Sequence, residues 1–81
     1  MNKWEFVEGD SLETTTGVKL TRIRAIVDMP NAGVLAGDLG GYIENKKNLA
    51  GNAWVYGNAK VFGDARVYGN AWVYGNAWVL S

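Results

Sequence analysis

The sequence predicts an all-β protein: a short parallel β-solenoid of six-residue repeats behind an N-terminal β-hairpin cap. Three observations carry this prediction. The chain repeats every six residues from Leu49 to its last residue, each repeat alternates strand-type residues with a glycine corner, and the preceding residues read as strands separated by turn residues. The prediction is a single domain spanning 1–81, with the cap and connecting turns at 1–42 and the solenoid at 43–81.

From Leu49 the chain reads LAGNAW, VYGNAK, VFGDAR, VYGNAW, VYGNAW, VLS. An aliphatic residue opens each hexad at Leu49, Val55, Val61, Val67, Val73 and Val79. Ala fills the fifth position at Ala53, Ala59, Ala65, Ala71 and Ala77. Gly and then Asn or Asp fill the third and fourth. In a strand, residues two apart share a face, so the Ala and the next aliphatic residue point inward together. The sixth residue, lying between them, points outward with the aromatic at position two. Gly followed by Asn or Asp suits a tight corner with a positive φ. A period of six does not match the 3.6-residue stripe of an amphipathic helix, and it excludes a coiled coil as well.

The cap is read from strand and turn signals. Trp4 and Phe6 share one face of a strand pattern, and Gly9-Asp10-Ser11 reads as the turn after it. A second strand, rich in β-branched residues, is expected over Val18–Val27. Met29-Pro30-Asn31-Ala32-Gly33 reads as a turn, and Gly37-Asp38-Leu39-Gly40-Gly41 as another. Ile43 stands six residues before Leu49, so a degenerate hexad begins there, with Asn45-Lys46-Lys47-Asn48 as its polar corner.

The repeat resembles the hexapeptide-repeat proteins that fold as left-handed parallel β-helices, in which three hexads make one triangular turn. It looks most like the G-N-A-x-V-x solenoids of phage and prophage genomes. The segment RIRAIVDMP…AGDLGGYIE before the repeats shares that likeness, which therefore covers residues 18–81. Relatives of this kind carry more hexads. The resemblance implies left-handedness, about two turns, and stacking of residues 18 apart. Trp54 then meets Trp72, Tyr56 meets Tyr74, Lys60 meets Trp78, and Val55 meets Val73 inside. The last rung is expected to leave an open edge at Val79-Leu80-Ser81.

Composition narrows the function. The chain has 81 residues and contains neither Cys nor His. There is thus no disulfide framework, no thiolate or imidazole metal ligand, and no histidine general base. A chain of this length buries only about 60% of its unfolded surface, and oligomerisation is the remaining route to added stability. No stretch reads as a signal peptide or approaches the ~20 apolar residues of a membrane span, so a cytoplasmic protein is expected, in the host cytosol if phage-encoded. Residues 1–47 carry 13 of the 16 charged side chains, whereas residues 48–81 carry three charges and seven of the ten aromatics. Such a charge-poor aromatic surface favours self-association. The net charge of zero gives no electrostatic basis for duplex nucleic acid or an anionic membrane.

Hexapeptide acyltransferases, which the resemblance brings to mind first, use a His between subunits, and solenoid carbonic anhydrases hold zinc with His; this chain has none. Gly37–Gly41 lacks the Gly-Lys-Ser/Thr ending of a phosphate loop, and no helix pattern follows it. Asp64 is a lone corner carboxylate, far short of a calcium ligand set. No catalytic residue, metal or cofactor is expected. Arg22 and Arg24, on one strand face, suit a phosphate or carboxylate, although such a pair more often serves a solvated face or an intersubunit salt bridge. The outward aromatics suit packing between subunits, or a platform for a planar ligand. The predicted oligomer interface is Trp54, Tyr56, Phe62, Tyr68, Trp72, Tyr74 and Trp78. The candidate ligand-binding set is Arg22, Arg24, Tyr42, Trp54 and Trp72, at a subunit boundary. The expected function is a non-enzymatic binding or assembly module that forms a homo-oligomer and contacts a host or phage protein. The alternative is an oligomeric counter-defence protein that sequesters a nucleotide-like signal.

Overall fold

The hairpin turn falls at Thr14–Gly17, not at Gly9–Ser11. In the structure, a computed structural model that describes residues 3–80, strand β1 runs from Trp4 to Glu13 and β2 from Lys19 to Ala25. Thr14 N–H donates to the Val18 carbonyl at 2.9 Å, and Gly17 N–H to the Thr14 carbonyl at 3.0 Å. Gly9 takes a positive φ of 86° inside β1. Its glycine signal marks a bulge: Phe6 pairs with Ile23 and Ser11 with Thr21, so five steps along β1 oppose two along β2.

The turn expected at Met29–Gly33 is present. It is a short 3-10 helix over Pro30–Ala32 that ends on Gly33 in the left-handed region and is closed by pairing of Met29 with Val34. Strand β3 follows at Leu39–Ile43, so Gly40 and Gly41 lie in a strand and not in the expected turn. A Cβ on Gly40 would lie 2.6 Å from the Val55 carbonyl oxygen, and one on Gly41 would lie 2.6 Å from Val55 Cγ1. Glycine is needed at both positions because two backbones meet there.

The remaining strands are short: β4 at Trp54–Val55, β5 at Lys60–Phe62, β6 at Trp72–Val73 and β7 at Trp78–Leu80. A five-stranded mixed sheet has the order β1-β2-β3-β5-β7, and β4 pairs with β6 in a second sheet. β1–β2 and β2–β3 are antiparallel, whereas β3–β5 and β5–β7 are parallel. Every parallel partner lies 18 residues away. Tyr42 meets Lys60, Ile43 meets Val61, Trp54 meets Trp72, and Lys60 meets Trp78. A separate bridge joins Leu49 to Val67. The 18-residue spacing already operates at Ile43, where the degenerate hexad was expected.

The corners use glycine alone for positive φ. Gly51, Gly57, Gly63, Gly69 and Gly75 have φ between 59° and 70°, and no non-glycine residue among those described has a positive φ. Asn70 therefore does not carry the left-handed conformation considered for the Asn positions.

The core runs through the hexads and into the cap. Leu49, Ala53, Val55, Ala59, Val61, Ala65 and Val67 are buried, together with Ile43, Ile23, Ala25 and Trp4. The inward rule weakens in the next hexads: Ala71 and Ala77 are exposed, and Val73 and Val79 are half-buried. No strand stacks beyond them among the described residues. Among the described residues one polar side chain is wholly buried. Asn48 donates its amide to the carbonyls of Gly63 (3.2 Å) and Ala65 (2.8 Å), and its Oδ1 accepts from Asn45 N–H at 2.8 Å. It closes the corner before the first regular hexad by satisfying backbone groups that water does not reach.

No helix among the described residues is long and apolar enough to cross a membrane.

Candidate functional site

The outward side chains form separate groups on different faces. On the five-stranded sheet, Arg22, Tyr42, Lys60 and Trp78 are cross-strand neighbours in one row. Arg22 Nε donates to Asp10 Oδ2 at 2.8 Å, its Nη1 to the Gly40 carbonyl at 2.8 Å, and its Nη2 to Tyr42 Oη at 2.6 Å. Its guanidinium carbon lies 4.4 Å from the centre of the Tyr42 ring. Lys60 Nζ stands between two rings, 5.9 Å from Tyr42 and 5.5 Å from Trp78. The row thus alternates cation and ring, an arrangement in which each cation meets the negative face of a π-system.

The next row of that face is apolar but for Glu44, two residues on from Tyr42, whose Oε1 accepts from Gly63 N–H at 2.8 Å. Leu20, Tyr42 and Phe62 form a small buried cluster, against which Leu12 and Val18 pack. Phe62 is the register partner of Leu80, and its ring lies 5.9 Å from that of Trp78, nearly edge-on. Trp78 and Leu80 stand exposed at the end of this face.

The two-stranded sheet carries the other aromatic group. Tyr56 and Tyr74 stack with ring centres 4.4 Å apart and planes inclined by 7°. Tyr74 meets Trp72 at a right angle, 6.2 Å between centres and 89° between planes. Tyr56 Oη donates to the Ala32 carbonyl, which ties this pair to the cap. Burial pushes the Tyr56 phenol above its ordinary value of 10.0, and the neighbouring Tyr74 adds to the rise.

The two arginines of the candidate ligand-binding set are held by carboxylates. Arg22 is bonded as above, and Arg24 forms an ion pair with Glu5 at 2.5 Å. Tyr42 is buried beside Arg22. Trp54 is 1% exposed, although its position in the hexad points outward, because the cap covers it. Trp72, the fifth member, belongs to the two-stranded sheet with Trp54, whereas Arg22, Arg24 and Tyr42 belong to the five-stranded sheet. Within one chain, the structure therefore places three members on one sheet and two on the other. Of the expected interface residues, Trp54 and Phe62 are buried and Tyr56 is partly buried, while Tyr68, Trp72, Tyr74 and Trp78 are exposed.

Sequence reasoning pairs Lys60 with Trp78 and places Leu80 in the open edge, but it does not count Lys60, Leu80 or Asn48 among the functional residues. Lys60 leaves a trace, as one of two cations, with Arg66, in a position otherwise held by Trp, and Asn48 leaves one in the polar corner Asn45–Asn48. Among the described residues, no group of three or more His, Cys, Asp or Glu side chains could hold a metal ion. An open depression of about 340 Å³ is lined by Ser11, Leu12, Glu13 and Lys19, none of them a candidate residue. No family model matches the chain, and neither the curated proteins nor the solved structures contain a match.

Proposed function

We propose that the chain is a non-enzymatic assembly module of the phage-type hexapeptide kind, a short left-handed parallel β-helix that self-associates through its outward apolar residues. The supporting observation is the outer face of the five-stranded sheet, where exposed Leu80 continues the row of Leu12, Leu20 and Phe62 and exposed Trp78 ends the row beside it. An apolar cluster that ends in an uncovered Trp and Leu is the surface a protein partner buries most favourably. A second copy fits because the face carries little net charge: Asp10 neutralises Arg22, and the charge of Lys60 is offset by Glu44. The aromatics the cap buries, Trp54 above all, serve packing within the chain in this reading.

The alternative, sequestration of a nucleotide-like signal, has less support, since Asp10 and Glu5 already occupy the two guanidinium groups it needs. Acyl transfer of the hexapeptide kind lacks its histidine general base, because the chain contains no His.

Sedimentation velocity at micromolar concentration tests the proposal. A mass of two or more chains is expected, falling to that of one chain in the double variant Trp78→Ser, Leu80→Ser. A wild-type chain that sediments as a monomer at every concentration overturns the reading.

A further inference from the structure

The pair Trp72 and Tyr74 has a geometry that packing within the chain does not require. The two side chains flank Val73 on one outward face, both are about half exposed, and their planes stand at 89°. They form an open right-angled corner with one aromatic wall on each side. The corner is preformed: Tyr74 lies flat on Tyr56, and the Tyr56 hydroxyl is bonded to the Ala32 carbonyl in the cap. Asn70, two residues before Trp72, is joined to Asn31 of the cap at 3.4 Å, which leaves amide groups exposed beside the corner. Residues 67–81 contain no Asp, Glu, Lys or Arg.

We propose that this corner binds a neutral polyhydroxylated ring, a pyranose unit of an oligosaccharide. The inference goes beyond self-association and uses a different face of the molecule. An aromatic face is electron-rich, and the ring hydrogens of a sugar, polarised by adjacent oxygens, are attracted to it. A puckered ring presents such hydrogens in more than one direction and so contacts two perpendicular walls at once, whereas a flat base stacks on only one of them. Amide side chains supply both donors and acceptors for the hydroxyls. The 67–81 segment carries no charge to offer a nucleotide's phosphates, and the cation on the neighbouring rung, Lys3, is already bonded to Asn52 Oδ1.

Titration of the full chain with cellotetraose, chitotetraose and AMP is the test, followed by the indole N–H signals in nuclear magnetic resonance and by tryptophan fluorescence. At least one of the neutral tetrasaccharides is expected to bind with a dissociation constant of about 1 mM or tighter. The Trp72 indole should shift more than those of Trp4 and Trp54. Trp72→Ala and Tyr74→Ala should each weaken binding about tenfold or more, with Trp72→Phe retaining most of it and Leu35→Ser, on the cap, leaving it unchanged. Wild-type protein that gives no shift with either sugar at about 10 mM overturns the proposal, as does tighter binding of AMP. If Tyr74→Ala unfolds, the Trp72 variants and the wild-type indole shifts still decide the matter. Sedimentation of the same samples separates the outcome from that of the assembly proposal.

Discussion

A Cβ on Gly40 would lie 2.8 Å from Cζ2 of Trp54, so β3 crosses the indole only because residue 40 has no side chain. The same Cβ would meet Ile23 Cγ1 at 2.7 Å and a backbone oxygen, which has no rotamer to escape into. Gly40→Ala should therefore destabilise the protein by ~1–3 kcal/mol, as overpacked core sites do. Leu39→Ala, at the exposed neighbour, should stay within about 0.5 kcal/mol of wild type. Urea melts in which the two variants behave alike would remove Gly40 from this role.

The buried amide of Asn48 supports the second prediction. Asn48→Ala strips the Gly63 and Ala65 carbonyls of their donor and should cost ~1–3 kcal/mol. Asn48→Asp keeps the shape but sets a carboxylate against the same two oxygens, so it should be no better tolerated. A neutral Asn48→Asp variant in the same melts would mean that the amide does not donate to those carbonyls.

The fifth hexad position divides into two groups. Ala59 is fully buried and Ala71 is exposed. Ala59→Leu should cost ~1–3 kcal/mol or prevent folding, while Ala71→Leu should change stability by no more than about 0.5 kcal/mol. Thermal melts that show equal losses for both would contradict the burial difference.

Tyr56 gives the stability a dependence on alkaline pH. Its folded-state pKa lies above the ordinary 10.0, so between the two values the native chain holds a proton that the unfolded chain has lost. The contribution is complete below the unfolded value and is lost as pH rises through the folded one. Wild-type stability should therefore fall more steeply above about pH 10 than that of Tyr56→Phe, measured by melting temperature against pH. Parallel curves would exclude Tyr56 as the cause.

How far these features could be read in advance depends on whether they are repetitive or singular. The period of six, taken with the three hexads per turn that the resemblance implies, gives partners 18 residues apart, and the pairing of Ile43 with Val61 follows the same spacing. Proline and glycine also mark the turn at Met29–Gly33. What the pattern does not convey is cover from elsewhere in the chain. Trp54 and Trp72 occupy identical places in their hexads, yet only Trp54 lies beneath the cap. Gly9 carries the composition of a turn but serves a bulge, because pairing continues on both sides of it. Gly40 and Gly41 read as loop residues for the same reason: a glycine required by a close approach looks no different from one required by a bend. Arg22 and Arg24 show up as a charged pair, while the carboxylates that neutralise them come from β1, 12 and 19 residues away.

The 18-residue register makes the surface a matter of phase. One hexad carries the chain from one ladder to the next, so residues six apart face different directions and residues 18 apart share a face. A single hexad inserted between Lys60 and Arg66 would carry Trp72 onto the face of Lys60 and Trp78 onto that of Arg66. The row of alternating cations and rings would then end in Trp72 instead of Trp78, and the aromatic corner of Trp72 and Tyr74 would move to that face, with Tyr74 over Phe62 instead of Tyr56, while the core stays in register. Only a change of three hexads lengthens every face without altering what it displays. Repeat number in such a chain is thus a switch as well as a ruler, with whole rounds adding length and fractional ones rewriting the partners each face can accept.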